Sequence, residues 1–179
     1  MIDRWPHPAC LDDEALLRQC ELGRGRAGGP GGQHRNKVET LVMIRHVPSG
    51  LEAHAGERRS QSENKGVALK RLRLLLAIEV RCDPPRARGL DEIVGPSGSA
   101  LWRSRRRDGR VACNPEHRDF PALLAEALDV VAAAEWDAPP AAERLEVTTS
   151  QLVKLVKDCP AALLAWNRKR RERGMRELK

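Results

Sequence analysis

From Val38 to Val47 the chain alternates with a period of two. Val38, Thr40, Val42 and Ile44 fall on one side, and Glu39, Leu41, Met43 and Arg45 on the other, which is the pattern of a β-strand. Leu41 and Met43 make the second side partly apolar, so both faces are expected to be partly covered. Pro48-Ser49-Gly50 reads as a turn, proline fixing φ and glycine free to take φ > 0. Leu51 to Ala55 then returns as the second arm of a hairpin. After Ser60 the period changes. Ser60-Gln61-Ser62-Glu63 is a capping box, and Leu69, Leu72, Leu76 and Val80 follow on one helical stripe that would pack on the sheet. Lys65, Arg71 and Arg73 lie nearer its polar side. The helix is expected to reach about Arg81, where Asp83-Pro84-Pro85 stops it. Upstream, Leu11 to Gln19 predicts a short helix capped by Asp12 or Asp13. Cys20 to Arg26 predicts a short strand, weakened by Gly23 and Gly25.

Downstream, residues 86–115 are rich in Gly, Pro, Ser and Arg, and include the cluster Arg103-Ser104-Arg105-Arg106-Arg107. They read as a loop or small irregular element. Asp119 to Trp136 predicts a helix, apolar at Leu123, Leu124, Ala127, Leu128 and Val131, and broken by Asp137 to Pro140. Thr148, Thr149 or Ser150 can cap a helix running to Lys157, and Cys159-Pro160 opens another that ends near Gly174. The expected fold is α+β: a small sheet with a β-hairpin, packed by a capped helix, a projecting glycine loop, and a helical C-terminal extension. The expected domains are 1–83, a Gly/Pro/Arg-rich linker at 84–118, and a basic helical extension at 119–179.

Composition narrows the function classes. Aromatic residues are only 3% of the 179, so the core must be aliphatic and alanine-rich. A formal net charge of +7 and a pI near 9.6 favour a polyanionic partner, nucleic acid before membrane. Met1 to Cys10 shows no apolar segment of a secretory signal, and no apolar run is long enough to span a bilayer. A soluble, cytoplasmic protein without membrane partners is expected. The five cysteines are scattered, with no C-x-x-C pair. His7-x-x-Cys10 with Cys113-x-x-x-His117 could make a metal quartet, but its halves are far apart. Reduced, partly buried thiols are the preferred reading, with no metal and no cofactor.

Six of the 14 glycines lie between Gly23 and Gly32. Such a run cannot build a core and suits a backbone that must approach something closely. It leads into Gln33 and then His34-Arg35-Asn36-Lys37. The sequence from Gly29 to Lys37, Gly-Pro-Gly-Gly-Gln-His-Arg-Asn-Lys, resembles the catalytic loop of class I peptide chain release factors. Val38-Glu39-Thr40, His46-Val47-Pro48-Ser49-Gly50 and Arg59-Ser60-Gln61-Ser62-Glu63-Asn64-Lys65 follow in that family's order and spacing. The likeness covers roughly Cys20 to Val80.

The resemblance implies hydrolysis of the ester of peptidyl-tRNA in the rRNA-lined peptidyl transferase centre of the ribosome. Gly31, Gly32 and Gln33 would be catalytic. The Gln33 backbone N–H would stabilise the oxyanion, and its side chain would admit water and exclude bulkier nucleophiles. His34, Arg35, Asn36 and Lys37 would hold the loop against rRNA, with Arg58 and Arg59 as further backbone contacts. In that family the glutamine is commonly N5-methylated, which implies Gln33 as a modification site and a glutamine methyltransferase as a partner. Only 30 residues precede Gly31, too few for a codon-reading domain, so the chain resembles codon-independent ribosome-rescue hydrolases. It lacks the helix that some of these insert between Gly50 and Arg59, and its C-terminal part looks folded instead of forming a plain basic tail. Two readings of Arg168, Lys169, Arg170, Arg171 and Arg173 beside Trp166 are open: a phosphate-contacting face, or an exposed face whose tryptophan packs inward. The alternative functions are a non-enzymatic ribosome- or RNA-binding protein and a nucleic-acid-binding regulator using the helical hairpin from Thr149 to Gly174, which ribosome-independent DNA binding would favour.

Overall fold

A computed structural model describes residues 6–25, 40–83 and 98–179 of the chain. The fold is α+β. It divides into two compact units, 11–76 and 1–10 with 77–179, and the division falls within one helix.

In the first unit, α1 (Asp13–Leu17) leads into β1 (Cys20–Gly25), β2 (Leu41–His46), β3 (Glu52–Ala55) and α2 (Gln61–Glu79). The Asp12 carboxylate caps α1 by accepting from the Ala15 N–H at 2.7 Å. The three strands form an antiparallel sheet in chain order. The glycines of β1 serve this pairing: Gly23 lies opposite Met43, and a Cβ there would come within 2.9 Å of the Met43 Cε. Leu41 and Met43 are half-buried on the second face, as their alternation predicts, while Val42, Ile44, Ala53 and Ala55 are buried on the first. The turn after β2 carries Gly50 at φ +72°. His46, fully buried, braces it: its Nε2 lies 3.0 Å from Gln19 Oε1 and its Nδ1 2.7 Å from Ser49 Oγ. Burial pushes its pKa down, so the ring stays neutral. Helix α2 begins where the capping box predicts, with the Glu63 N–H donating to Ser60 Oγ, and buries Leu69, Leu72 and Leu76. Arg73 fixes α1 to α2 by donating to the Leu11 carbonyl and to Asp13 Oδ1.

The second unit holds all four described aromatic residues: Trp102, Phe120 and Trp166, fully buried, and Trp136, partly so. The arginine-rich cluster is ordered, unlike the loop expected from its composition. Ser99 caps α3 (Ala100–Arg105), and a tight hairpin of β4 (Arg106–Arg107) and β5 (Arg110–Val111) follows. Its turn, Asp108-Gly109, has φ +48° and +68°, matching the reversed turns that suit hairpin twist. Asp137 to Pro140 does more than break a helix. Asp137 accepts from the Ala138 N–H and caps α5 (Ala138–Arg144), whose prolines sit in the first turn, where no N–H is needed. Helices α6 (Thr149–Lys157) and α7 (Pro160–Arg171) form the expected pair.

Helix α4 (Phe120–Ala133) is the centre of this unit. Every residue from Phe120 to Val131 is buried, so it is enclosed on all sides instead of presenting one apolar face. Two carboxylates are enclosed with it. Glu126 accepts from the Ser99 N–H and O–H at 2.5 and 2.6 Å. Asp129 Oδ1 accepts from Arg81 and from the Cys82 N–H, both at 3.1 Å, while its Oδ2 has no hydrogen-bond partner among the described residues. Desolvation outweighs Arg81 and pushes the Asp129 pKa up to about 7.

An unfolded aspartate titrates near 3.9, so the folded state holds this proton more tightly. Its contribution to stability is complete below about pH 4 and is lost as pH rises towards 7. Calorimetric midpoints of wild type and Asp129→Asn between pH 4 and 7.5 test this. The variant should gain on wild type as pH rises. Parallel curves would mean that Asp129 ionises at its ordinary pKa.

Candidate functional site

Gly31, Gly32, Gln33, His34, Arg35, Asn36 and Lys37 lie outside the described residues, but both stems of their loop lie within them. Gly25 ends β1 and pairs with Leu41, which opens β2. The chain therefore leaves and re-enters the sheet at adjacent positions, and the intervening segment is anchored at both ends by one ladder.

Asn64 fixes the returning stem. It is fully buried on the first turn of α2. Its Nδ2 donates to the Thr40 carbonyl at 2.7 Å and to the Arg58 carbonyl at 2.9 Å, and its Oδ1 accepts from the Arg58 N–H at 2.9 Å. One carboxamide thus joins the residue before β2, the segment before α2 and the helix itself. Arg71 supports the same segment, donating to the His54 carbonyl at 2.8 Å and pairing with Glu57; that hydrogen bond lowers the Glu57 pKa. Arg58 and Arg59 are exposed, with Arg58 held beside the loop stem through Asn64. Sequence reasoning placed Asn64 within a resembling segment but gave it no role. A buried amide with no apolar function was the available signal.

The cations of α7 divide. Arg168 and Arg171 are exposed, and their partners are surface carboxylates, Glu79 at 4.0 Å and Glu177 at 3.2 Å. Lys169 lies 2.9 Å from Glu172, and Arg173 lies over the Trp136 ring, 5.9 Å from its centroid. Surface pairs of this kind contribute about 0–1 kcal/mol, so phosphate could replace them. Arg170 differs. It is 9% exposed and donates to the Trp136 carbonyl and the Arg176 carbonyl, both at 2.8 Å. Its guanidinium serves the fold, which removes it from the surface cations. Trp166 packs inward and also donates to the Trp136 carbonyl, at 3.0 Å.

All five cysteines are free thiols. Cys10 and Cys113 face the carbonyls of Ala122 and Asn114. The described residues bring a different trio together. The donor atoms of His7, Cys82 and Asp129, all buried, lie within 4.8 Å of one another. His7 Nδ1 accepts from the Ala9 N–H and its Nε2 lies 3.1 Å from the Val80 carbonyl. Both ring nitrogens are engaged, and Arg81 stands on Asp129. A metal ion would have to displace these bonds beside a guanidinium, so hydrogen bonds and not a metal account for the trio.

Residues 18–100 match the RF-1 domain family. Through this segment the chain is similar to class I peptide chain release factors. It is 47% identical over 77 residues to the chloroplastic peptide chain release factor PrfB1 of Arabidopsis thaliana, covering 43% of this chain and 16% of that one. Against peptide chain release factor 1 of Chlorobaculum tepidum the identity is 56% over 68 residues, 38% of this chain and 19% of the relative. Against peptide chain release factor 2 of Kosmotoga olearia it is 35% over 96 residues, 51% and 25%. The chain thus spans a quarter or less of the length of these relatives. No helix among the described residues is long and apolar enough to cross a membrane.

Asn64→Ala leaves the Thr40 carbonyl and both backbone groups of Arg58 without their partner. A loss of about 1–3 kcal/mol is expected from urea unfolding followed by far-UV circular dichroism. Amide exchange should accelerate first at residues 41–43 and 58–60. Unchanged protection there would show that the carboxamide does not hold the stem.

Proposed function

We propose that the chain hydrolyses the ester of peptidyl-tRNA on the ribosome. The observation that carries this reading is the sequence Gly31-Gly32-Gln33 inside a segment matching the RF-1 domain, in a connection whose stems pair at Gly25 and Leu41. Water attacks the ester carbon, the bond to the tRNA 3′ oxygen breaks, and the products are a free peptide carboxylate and tRNA with its 3′ hydroxyl restored. The chain supplies position and a dipole. The Gln33 N–H meets the oxyanion as it forms, Gly31 and Gly32 let the backbone turn towards it, and the Gln33 amide selects water. His34, Arg35, Asn36 and Lys37 hold the loop on rRNA, with Arg58 and Arg59 beside the stem. The peptidyl transferase centre supplies the enclosed, oriented environment. Gln33 is the residue a glutamine methyltransferase would modify. Residues 1–83 act as the catalytic domain and 119–179 as a docking extension.

The finer reading is codon-independent rescue of stalled ribosomes in the cytoplasm. The exposed Arg168 and Arg171 of α7, with the half-buried Lys169 and with Arg173 just beyond the helix, support it by offering phosphate contacts in an empty mRNA channel.

Peptide release from ribosomes with a vacant A site, against ribosomes presenting stop or sense codons, tests both levels. Wild type should release peptide without requiring a stop codon, and at least as well where no codon occupies the A site. A requirement for stop codons would leave termination in place of rescue. Gly32→Ala should abolish release while folding and ribosome binding persist; full activity in that variant would remove the mechanism, and binding without release in wild type would leave a non-enzymatic RNA-binding protein.

Neutralising Arg168, Arg171 and Arg173 together should weaken ribosome binding and flatten its salt dependence by roughly two to three units of slope. Release at saturating protein should change little. An unchanged slope across a salt series would mean that α7 carries no docking role.

A further inference from the structure

The β4–β5 hairpin places two arginines in an arrangement that the fold alone does not favour. Arg107 and Arg110 are paired residues of adjacent strands, so their side chains leave the same face. Both are exposed, and among the described residues neither forms an ion pair. Like charges directly opposite destabilise a ladder. Their neighbours in the cluster are engaged: Arg105 pairs with Asp119, and Arg106 with Glu146. The hairpin that presents them is held firmly. Val111 is buried, the Gly109 carbonyl accepts from the Thr148 N–H at 3.1 Å, and Arg106 anchors the opposite strand.

Two clefts flank this pair. One, of 630 Å³, is lined by Arg105, Arg107 and Arg110 with Ser104. The other, of 580 Å³, takes in Arg105 and Arg110 again and adds Asn114, Gln151 and Lys154. Asp108 lines the first and Asp158 the second, so cations outnumber carboxylates. Arg105 and Arg110 line both, so the clefts adjoin along the hairpin, which suits an extended polyanion better than one small ion. No phenylalanine, tyrosine or tryptophan lines either cleft, and the His117 imidazole in the second is held by Arg105 and the Asp119 N–H, so no large ring is offered for stacking bases. The donors fit phosphate oxygens, whose contacts position a nucleic acid without reading its sequence.

We propose that the β4–β5 hairpin, with Arg107 and Arg110 at its centre, is a docking site for the phosphodiester backbone of RNA, separate from the glycine loop and from α7. The choice of RNA over another polyanion rests on the ribosomal reading; the site itself rests on the hairpin. Binding is indifferent to base sequence, and bound phosphates relieve the repulsion between the two guanidinium groups.

The test uses the full chain and a 24-base-pair RNA hairpin in two unrelated sequences, titrated across a salt series by fluorescence anisotropy of labelled RNA. Wild type should bind both sequences alike. Arg107→Gln with Arg110→Gln should lower affinity about tenfold and reduce the salt slope by about two. The thermal midpoint should hold or rise, because a repulsive pair is removed. Arg107→Lys with Arg110→Lys keeps the charges and should keep the slope. Unchanged affinity and slope in the glutamine variant, absence of RNA binding in wild type, or preference for polyglutamate over RNA would each overturn the proposal, the last in favour of an acidic protein partner. Peptide release, assayed separately, reports on the loop: its failure in wild type would remove the hydrolytic reading while the binding data decide the hairpin.

Discussion

The buried carboxamide of Asn64 holds together the return of the chain into β2 and the approach to α2. A sheet of three short strands and one helix leaves the returning stem of a long connection and the approach to α2 without ladder partners of their own. Asn64 supplies both donors and an acceptor to these two segments at once. Because it sits on a helix of 19 residues, the positions of Thr40 and Arg58 are tied to a rigid element. For a segment as rich in glycine as residues 26–39, fixed ends are the constraint that the described residues supply.

Much of this unit was legible in the sequence. Alternation gave β2, the Ser60 box gave the start of α2, and the leucine stripe gave its buried side. These are local rules, and here the local rule and the tertiary environment agree. The chemistry proposed for residues 29–37 rests on resemblance, since composition alone says no more than that the segment is rich in glycine. The second unit was harder. The Arg103–Arg107 cluster read as irregular because charge masked two local signals, the Ser99 cap and the Asp108-Gly109 turn. The prolines after Asp137 read as a stop, although proline is equally at home in a first helical turn. Enclosure of α4 on every side, with Glu126 and Asp129, has no periodic signature.

Arg170 shows why a charge pattern misleads. Glu135 and Trp136 both adopt positive φ, +53° and +69°, which is strained for residues of this size. The bend leaves the Trp136 carbonyl as an acceptor for two donors, Trp166 Nε1 and Arg170 Nη1. One face of α7 therefore secures a costly corner at the end of α4, and only the remaining cations face solvent. Five positive charges in eight residues look alike in sequence; a carbonyl 34 residues upstream of Arg170 separates them.

The partition of aromatic side chains has an optical consequence. All four tryptophans and the one phenylalanine lie outside residues 11–76, and the chain has no tyrosine. The unit that anchors the glycine loop is therefore dark in near-ultraviolet absorption and in intrinsic emission. Any such signal from the chain alone, whether followed through heating or denaturant, originates outside residues 11–76. A single smooth fluorescence transition can coexist with a loop-bearing unit that is already unfolded, or still intact.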